Sequence, residues 1–213
     1  MILLIVKYMI AFVIAYLIGS IPTGYLIVKK LKGIDIRKTG SGSTGATNVK
    51  RILGTKWFFT VMLIDALKGI IPVLLAVKFI NDINFYDKNA NYISLYGLGS
   101  TIAAIGAIIG HSKSIFLGFT GGKSVATGIG TLIALCWPVG LIVAGVWAII
   151  TFFTKFVSLG SVIAISLAPI LMNNFHQNVF YICFAAIGAV YVIIMHRENI
   201  KRLIKGEENK VRK

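Results

Sequence analysis

The sequence predicts an all-α integral membrane protein, a seven-transmembrane-helix bundle with its N-terminus outside and its C-terminus cytoplasmic. Three observations carry that prediction. Hydrophobic residues make up 57% of the 213 and charged ones only 14%, more apolar surface than one small soluble core can hide. The apolar residues fall into runs near the ~20 that cross a bilayer. The basic residues gather in alternate connections between those runs, which orients the chain because Lys and Arg stay on the cytoplasmic side.

Taken in order, the runs cover residues 3–28, 57–80, 93–110, 124–136, 139–153, 157–172 and 179–195. The first is long enough to span and no small-residue cleavage pattern follows it, so it is expected to remain as a helix. The fourth and fifth are short and separated only by Trp137-Pro138, which suits either a tight external turn or a re-entrant pair. Small residues crowd the third and fourth, for example Gly97, Ala103, Gly106, Gly128 and Gly130, as close helix contact requires.

Of the 22 Lys and Arg, eight lie in 29–56, two in 111–123, one in 154–156 and seven in the tail from His196, eighteen in all on one face. The connection 81–92 carries only Lys88, and Lys7, Lys68 and Lys78 fall within helices. A charge at a helix centre costs about 2.5 to 3.5 kcal/mol, so each asks for a partner. Asp65 and Lys68, at i and i+3, are expected to pair toward the bundle interior; Lys7 and Lys78 are expected to snorkel. The tail spaces Ile200, Leu203 and Ile204 at helical intervals against a basic face, as an interfacial helix on anionic lipid does. The chain reads as a single domain, 1–213, with a basic cytoplasmic tail, 196–213. Its net charge of +15 suits an anionic lipid or substrate; no nucleic-acid module is visible.

Two polar stretches stand out on the cytoplasmic face. The first, residues 33–51, holds Gly40, Ser41, Gly42, Ser43, Gly45 and Asn48 between Arg37, Lys38, Lys50 and Arg51. Glycines let backbone N–H groups converge, hydroxyls and an amide add donors, and the cations add charge, so the stretch reads as a seat for phosphate. Its Gly40-x-Gly42-x-x-Gly45 spacing imitates a dinucleotide fingerprint, but the flanking segments are membrane-spanning rather than strands. The second stretch runs from Gly110 and His111 through Gly121, Gly122, Lys123 and Ser124. It lacks the first glycine of a P-loop, yet it leads into a helix N-terminus that favours an anion. His111 and His196 sit at the cytoplasmic membrane edge, with Asn199 one turn beyond His196. No His is followed five residues later by Asp, no spacing suits a metal, and Cys136 and Cys183 read as inert core thiols. No cofactor is expected. Besides an enzyme, these residues admit an organic-anion transporter with Asp65 and Lys68 as its relay, or a scaffold held to lipid by the tail.

In order and spacing, Gly19-Ser20-Ile21-Pro22, the Gly40 to Asn48 loop with Arg51, Asp65-x-x-Lys68-Gly69, Gly110-His111, Gly121-Gly122-Lys123-Ser124-Val125-Ala126-Thr127, Ser158-Leu159-x-Ser161 and His196-Arg197-Glu198-Asn199 together resemble the bacterial acyl-phosphate:glycerol-3-phosphate acyltransferases, the PlsY family. The resemblance covers nearly the whole chain. It implies transfer of a fatty acyl group from acyl phosphate to the sn-1 hydroxyl of glycerol 3-phosphate, in the bacterial inner membrane with the active site facing the cytoplasm. It also implies that Ser41, Arg51, Lys123, Ser158, His196 and Asn199 surround the two phosphates and the glycerol, with Gly110 and His111 at the acyl-phosphate end. Gly40, Gly42, Asn48, Gly121 and Gly122 would complete the binding loops. One departure is Ser43, where the family usually has Asn; a hydroxyl offers one donor where the amide offers two.

Overall fold

The computed structural model describes residues 2–80, 84–86 and 92–211. Residues 81–83 and 87–91, Lys88 among them, therefore lie outside the described residues, as do Met1 and the last two residues of the tail. Helices account for most of the described residues: α1 (Ile2–Ser20), α2 (Thr23–Lys32), α3 (Ala46–Leu53), α4 (Thr55–Phe79), α5 (Leu98–Ser112), α6 (Val125–Leu135), α7 (Trp137–Thr154), α8 (Val157–Ser166), α9 (Ala168–Asn174), α10 (Val179–Met195) and α11 (Arg197–Ile204). A short antiparallel hairpin, β1 (Asn84–Tyr86) and β2 (Tyr92–Ser94), precedes α5 and pairs Asn84 with Ser94 and Tyr86 with Tyr92. The third apolar run thus starts as a strand and becomes helical only at Leu98, after Gly97 turns the chain with φ +89°.

Among the described residues, four helical segments are long and apolar enough to cross a membrane: Ile2–Lys32, Thr55–Phe79, Trp137–Thr154 and Val157–Asn174. A fifth is possible if α10 and α11, bent by 61°, count as one span, and α5 and α6 are shorter apolar helices. All seven expected runs therefore contain helix, but two are interrupted and the last bends just beyond its end. Ile21-Pro22 separates α1 from α2, Leu167 with Pro169 separates α8 from α9, and His196 turns α10 into α11. Proline at the first break removes a backbone donor and restricts the residue before it, so the helix must restart.

The outer faces remain apolar. Leu3, Met9, Ile10 and Val13 on α1, Ile149, Phe152 and Phe153 on α7, and Ile187 and Val190 on α10 are exposed. Such a surface is stable in hydrocarbon and unstable in water.

Inside, one large cluster joins α1, α4, α5, α6, α7, α8, α9 and α10 around residues such as Val73, Ala104, Leu132, Val143 and Val192. A second, smaller cluster of Val28, Ile36, Val49 and Val61 ties α2, a 3-10 turn (Ile36–Lys38), α3 and α4 together. That satellite core matters for function, because it holds residues 33–54 as ordered structure at the end of the bundle.

The charges inside the bundle are paired as expected. Lys68 Nζ lies 2.7 Å from Asp65 Oδ1, with both side chains buried. The same ammonium donates to the Ile21 carbonyl at 2.6 Å, so the break between α1 and α2 supplies a further acceptor for a buried cation.

Candidate active site

The first loop is built around Asn48. Its Nδ2 donates to the carbonyls of Thr39 (2.9 Å), Ser43 (2.9 Å) and Ile36 (3.3 Å), and its Oδ1 accepts from the Ser41 N–H at 3.2 Å. All of its hydrogen-bonding capacity in the loop is internal, so Asn48 shapes the seat rather than offering a spare donor. Gly40 and Gly42 adopt φ +62° and +70°, conformations open to glycine; a Cβ at Gly40 would also collide with the Asn48 amide oxygen. Ser43 Oγ accepts the Gly45 N–H at 3.3 Å. The loop then enters α3, a helix inside a stretch the sequence suggested was loop, and α3 carries Arg51.

Of the four cations that bracket this loop, Arg51 alone lines the cavity described below. Arg37 is engaged elsewhere: it pairs with Asp35 at 2.7 Å and donates to the Leu117 carbonyl at 3.3 Å, so it ties the first loop to the second.

The second loop lies against the end of α5. Gly122 N–H donates to the His111 carbonyl at 3.1 Å. A Cβ on Gly121 would strike that carbonyl and one on Gly122 the His111 ring, so this pair permits close packing. Gly110 does the same between α5 and α1, where a Cβ would strike the Tyr16 carbonyl. Ser124 turns the chain with φ +60° while its hydroxyl donates to Ile108 O at 2.9 Å, and α6 begins at the next residue. Lys123 is thereby aimed at the cavity, where its ammonium donates to Asn199 Oδ1. Burial lowers the Lys123 pKa to about 8; the charges of Arg202 and Arg51 push the same way and Glu208 opposes them.

The third component comes from the α10–α11 junction and α8. His196 is buried and its Nδ1 lies 2.8 Å from the Val192 carbonyl. A carbonyl only accepts, so Nδ1 carries the proton and Nε2 is left as an acceptor. Ser158, in the first turn of α8, donates to Glu208 Oε1 at 2.8 Å, and Asn199 Nδ2 donates to the same oxygen at 2.6 Å.

These three components enclose one cavity of about 1310 Å³. Its wall includes Gly40, Ser41, Asn48, Arg51, His111, Lys123, Ser158, His196 and Asn199, nine of the residues singled out in the sequence. Gly42, Gly110, Gly121 and Gly122 do not line it; the last three act through packing. His111 closes the buried end, 3.5 Å from Lys68 Nζ and 3.8 Å from Asp65 Oδ1. One side of the wall is apolar, with Phe58, Phe59 and Leu63 of α4, Ile129 of α6 and Ala144 and Trp147 of α7. A cationic, hydrogen-bonding end thus continues into a groove suited to a hydrocarbon chain. Among the described residues, no three His, Cys, Asp or Glu side chains gather in a way that could hold a metal ion.

Sequence reasoning missed Glu208 and Arg202, both of which line the cavity and which bond to each other at 2.8 Å. The available signal was Glu207-Glu208, an acidic pair in a tail otherwise dominated by Lys and Arg.

The model of the glycerol-3-phosphate acyltransferase family matches residues 9–206. The chain is 48% identical over 202 residues to the glycerol-3-phosphate acyltransferase of Trichormus variabilis, covering 93% of this chain and 89% of that protein. It is 46% identical over 200 residues to that of a Synechococcus species, covering 92% and 89%. It also superimposes on crystal structures of PlsY, an integral membrane glycerol 3-phosphate acyltransferase. The glycerol 3-phosphate form gives a TM-score of 0.84 at 37% identity, covering 96% of each chain. The lysophosphatidic acid form gives 0.82 at 36%, covering 96% and 95%.

Proposed function

The chain belongs to the glycerol-3-phosphate acyltransferase family, and from that premise we propose that it transfers a fatty acyl group from acyl phosphate to the sn-1 hydroxyl of glycerol 3-phosphate, releasing lysophosphatidate and inorganic phosphate. The observation that carries this reading is the single cavity that joins Ser41, Arg51, Lys123, Ser158, His196 and Asn199 to an apolar groove. Two anionic head groups and one acyl chain need that combination.

An acyl phosphate is already activated, so the protein's task is positioning and charge compensation. Arg51 and Lys123 offset the repulsion between two phosphates, and the exposed Ser41 on the first loop adds a hydroxyl donor. His196 and Asn199 orient the glycerol. The sn-1 oxygen attacks the acyl carbon, the bond from that carbon to the phosphate oxygen breaks, and phosphate leaves. The hydroxyl proton passes to the substrate's own phosphate; His196 Nε2, free to accept, is the rival base. No protein nucleophile is required. The apolar wall between α4, α6 and α7 holds the acyl chain.

The same reading places the protein in the bacterial inner membrane as a seven-span bundle, α5 and α6 included, with its N-terminus outside and its C-terminus and cavity mouth cytoplasmic. The basic face of α11 rests on anionic lipid. The deciding experiment supplies the purified protein with acyl phosphate and glycerol 3-phosphate and measures phosphate release alongside lysophosphatidate. Equal amounts of both products are expected. No release from acyl phosphate, or transfer from acyl-CoA instead, would overturn the assignment.

A further inference from the structure

The tail beyond α11 returns to the cavity. Gly206 turns the chain with φ +72°, Glu207 N–H donates to Arg202 O at 2.8 Å, and Val211 N–H donates to Lys155 O at 2.8 Å. Residues 206–211 are thereby drawn past the start of α8, with the Lys210 ammonium 5.5 Å over the Phe156 ring. Glu208 becomes part of the cavity wall, its side chain only 5% exposed. Burial raises its pKa, but hydrogen bonds from Asn199, Arg202 and Ser158 and the nearby guanidinium outweigh that and hold it below the usual carboxylate range. The group is ionised at neutral pH.

An ionised carboxylate only accepts and an ammonium only donates. Asn199 stands between one of each, with Nδ2 on Glu208 and Oδ1 on Lys123, so its amide has a single orientation. The one hydroxyl proton of Ser158 is likewise committed to Glu208. Asn199 keeps one Nδ2 hydrogen as a donor, but what its Oδ1 and the Ser158 Oγ have left for a ligand is lone pairs. A phosphate dianion has no proton to offer them, whereas a glycerol hydroxyl does.

We propose that Glu208 sets the hydrogen-bond polarity of the Ser158–Asn199 corner, leaving two acceptor atoms that take the secondary hydroxyl of the acyl acceptor and turn its phosphate toward Lys123 and Arg51. Glu208 is a positioning residue in this scheme, acting through Ser158 and Asn199 and held in place by Arg202 on its other oxygen at 2.8 Å. The inference rests on glycerol 3-phosphate being the acceptor, as proposed above.

The test compares glycerol 3-phosphate with 3-hydroxypropyl phosphate, which keeps the terminal hydroxyl and the phosphate but lacks the secondary hydroxyl. Because a site built to bond a hydroxyl discriminates against its absence, wild-type protein is expected to prefer glycerol 3-phosphate at least tenfold in kcat/KM. Glu208→Gln can donate as well as accept, and is expected to shrink that preference at least fivefold while the KM for acyl phosphate stays unchanged. Glu208→Asp, which keeps the acceptor chemistry, is expected to restore part of it. Ser158→Ala removes one acceptor with the tail still tied through Asn199 and Arg202, and is expected to shrink the same ratio even if Glu208→Gln does not fold. An unchanged ratio in the variants, or equal losses for both acceptors, would overturn the proposal and leave Glu208 a structural tie. Failure of wild-type protein to acylate glycerol 3-phosphate would overturn the functional reading instead, before any variant is compared.

Discussion

Lys123 is a cation that its surroundings make easy to discharge, and that property has a visible consequence. With its pKa lowered to about 8 by burial, the ammonium is present below pH 8 and lost above it. A phosphate brought alongside favours the charged form and raises the pKa again. Binding of glycerol 3-phosphate between pH 8 and 9 is therefore expected to take up a proton, measurable as a buffer-dependent enthalpy in calorimetry, and its KM should climb as pH rises through 8. Lys123→Ala should abolish the uptake and lower kcat/KM at least tenfold, about 1.4 kcal/mol; unchanged kinetics would remove Lys123 from the site. His196 poses a different question, since its Nδ1 is engaged with Val192 O and only Nε2 faces a role in proton transfer. His196→Gln is expected to retain a substantial share of kcat with a flattened pH–rate profile. Wholesale loss of kcat with glycerol 3-phosphate binding intact would make His196 the base.

At the scale of elements, the site depends on how closely α6 approaches α4, because Lys123 lies two residues before α6 begins. A Cβ at Gly130 would collide with the Ala66 carbonyl of α4, and one at Gly69 with the Thr127 carbonyl of α6. Both are backbone atoms in packed helices and have little room to yield. Gly130→Ala is expected to destabilise the protein by about 1–3 kcal/mol, seen as a lower Tm in detergent, and to reduce turnover by displacing the start of α6. A Tm equal to wild type would show that the pair of helices can separate freely. The loops show what a sequence reading reaches at this scale. That Gly40, Ser41 and Arg51 belong to one polar site was legible from residue type alone, and all three line the cavity. The direction of Asn48, inward to the loop's own carbonyls, was not legible, because it depends on where Thr39 and Ser43 are placed by the satellite core. Nor was α3, whose eight residues are too few for local propensity to decide against a loop.

For the whole molecule, the proposed topology puts Lys38, Lys113 and Lys205 on the cytoplasmic side, and all three are exposed. In a background lacking Cys136 and Cys183, the single variants Lys38→Cys, Lys113→Cys and Lys205→Cys are expected to react with a membrane-impermeant maleimide in inverted vesicles and to resist it in intact cells. Labelling of any one from the outside would reverse the orientation read from the basic residues.

The sequence by itself determined that this chain is a bundle of apolar helices with glycine-rich, cationic loops, since hydropathy and charge are local properties that the bilayer reads segment by segment. Only the tertiary structure decided that Arg51, Lys123, Ser158 and His196, up to 145 positions apart in the chain, share one cavity, and that Glu208 returns to polarise it. Those contacts are made by α3, α6, α8, the α10–α11 junction and the tail meeting at one end of the bundle. No pattern within a single segment encodes such a meeting, because it is set by which helices can approach closely enough to pack.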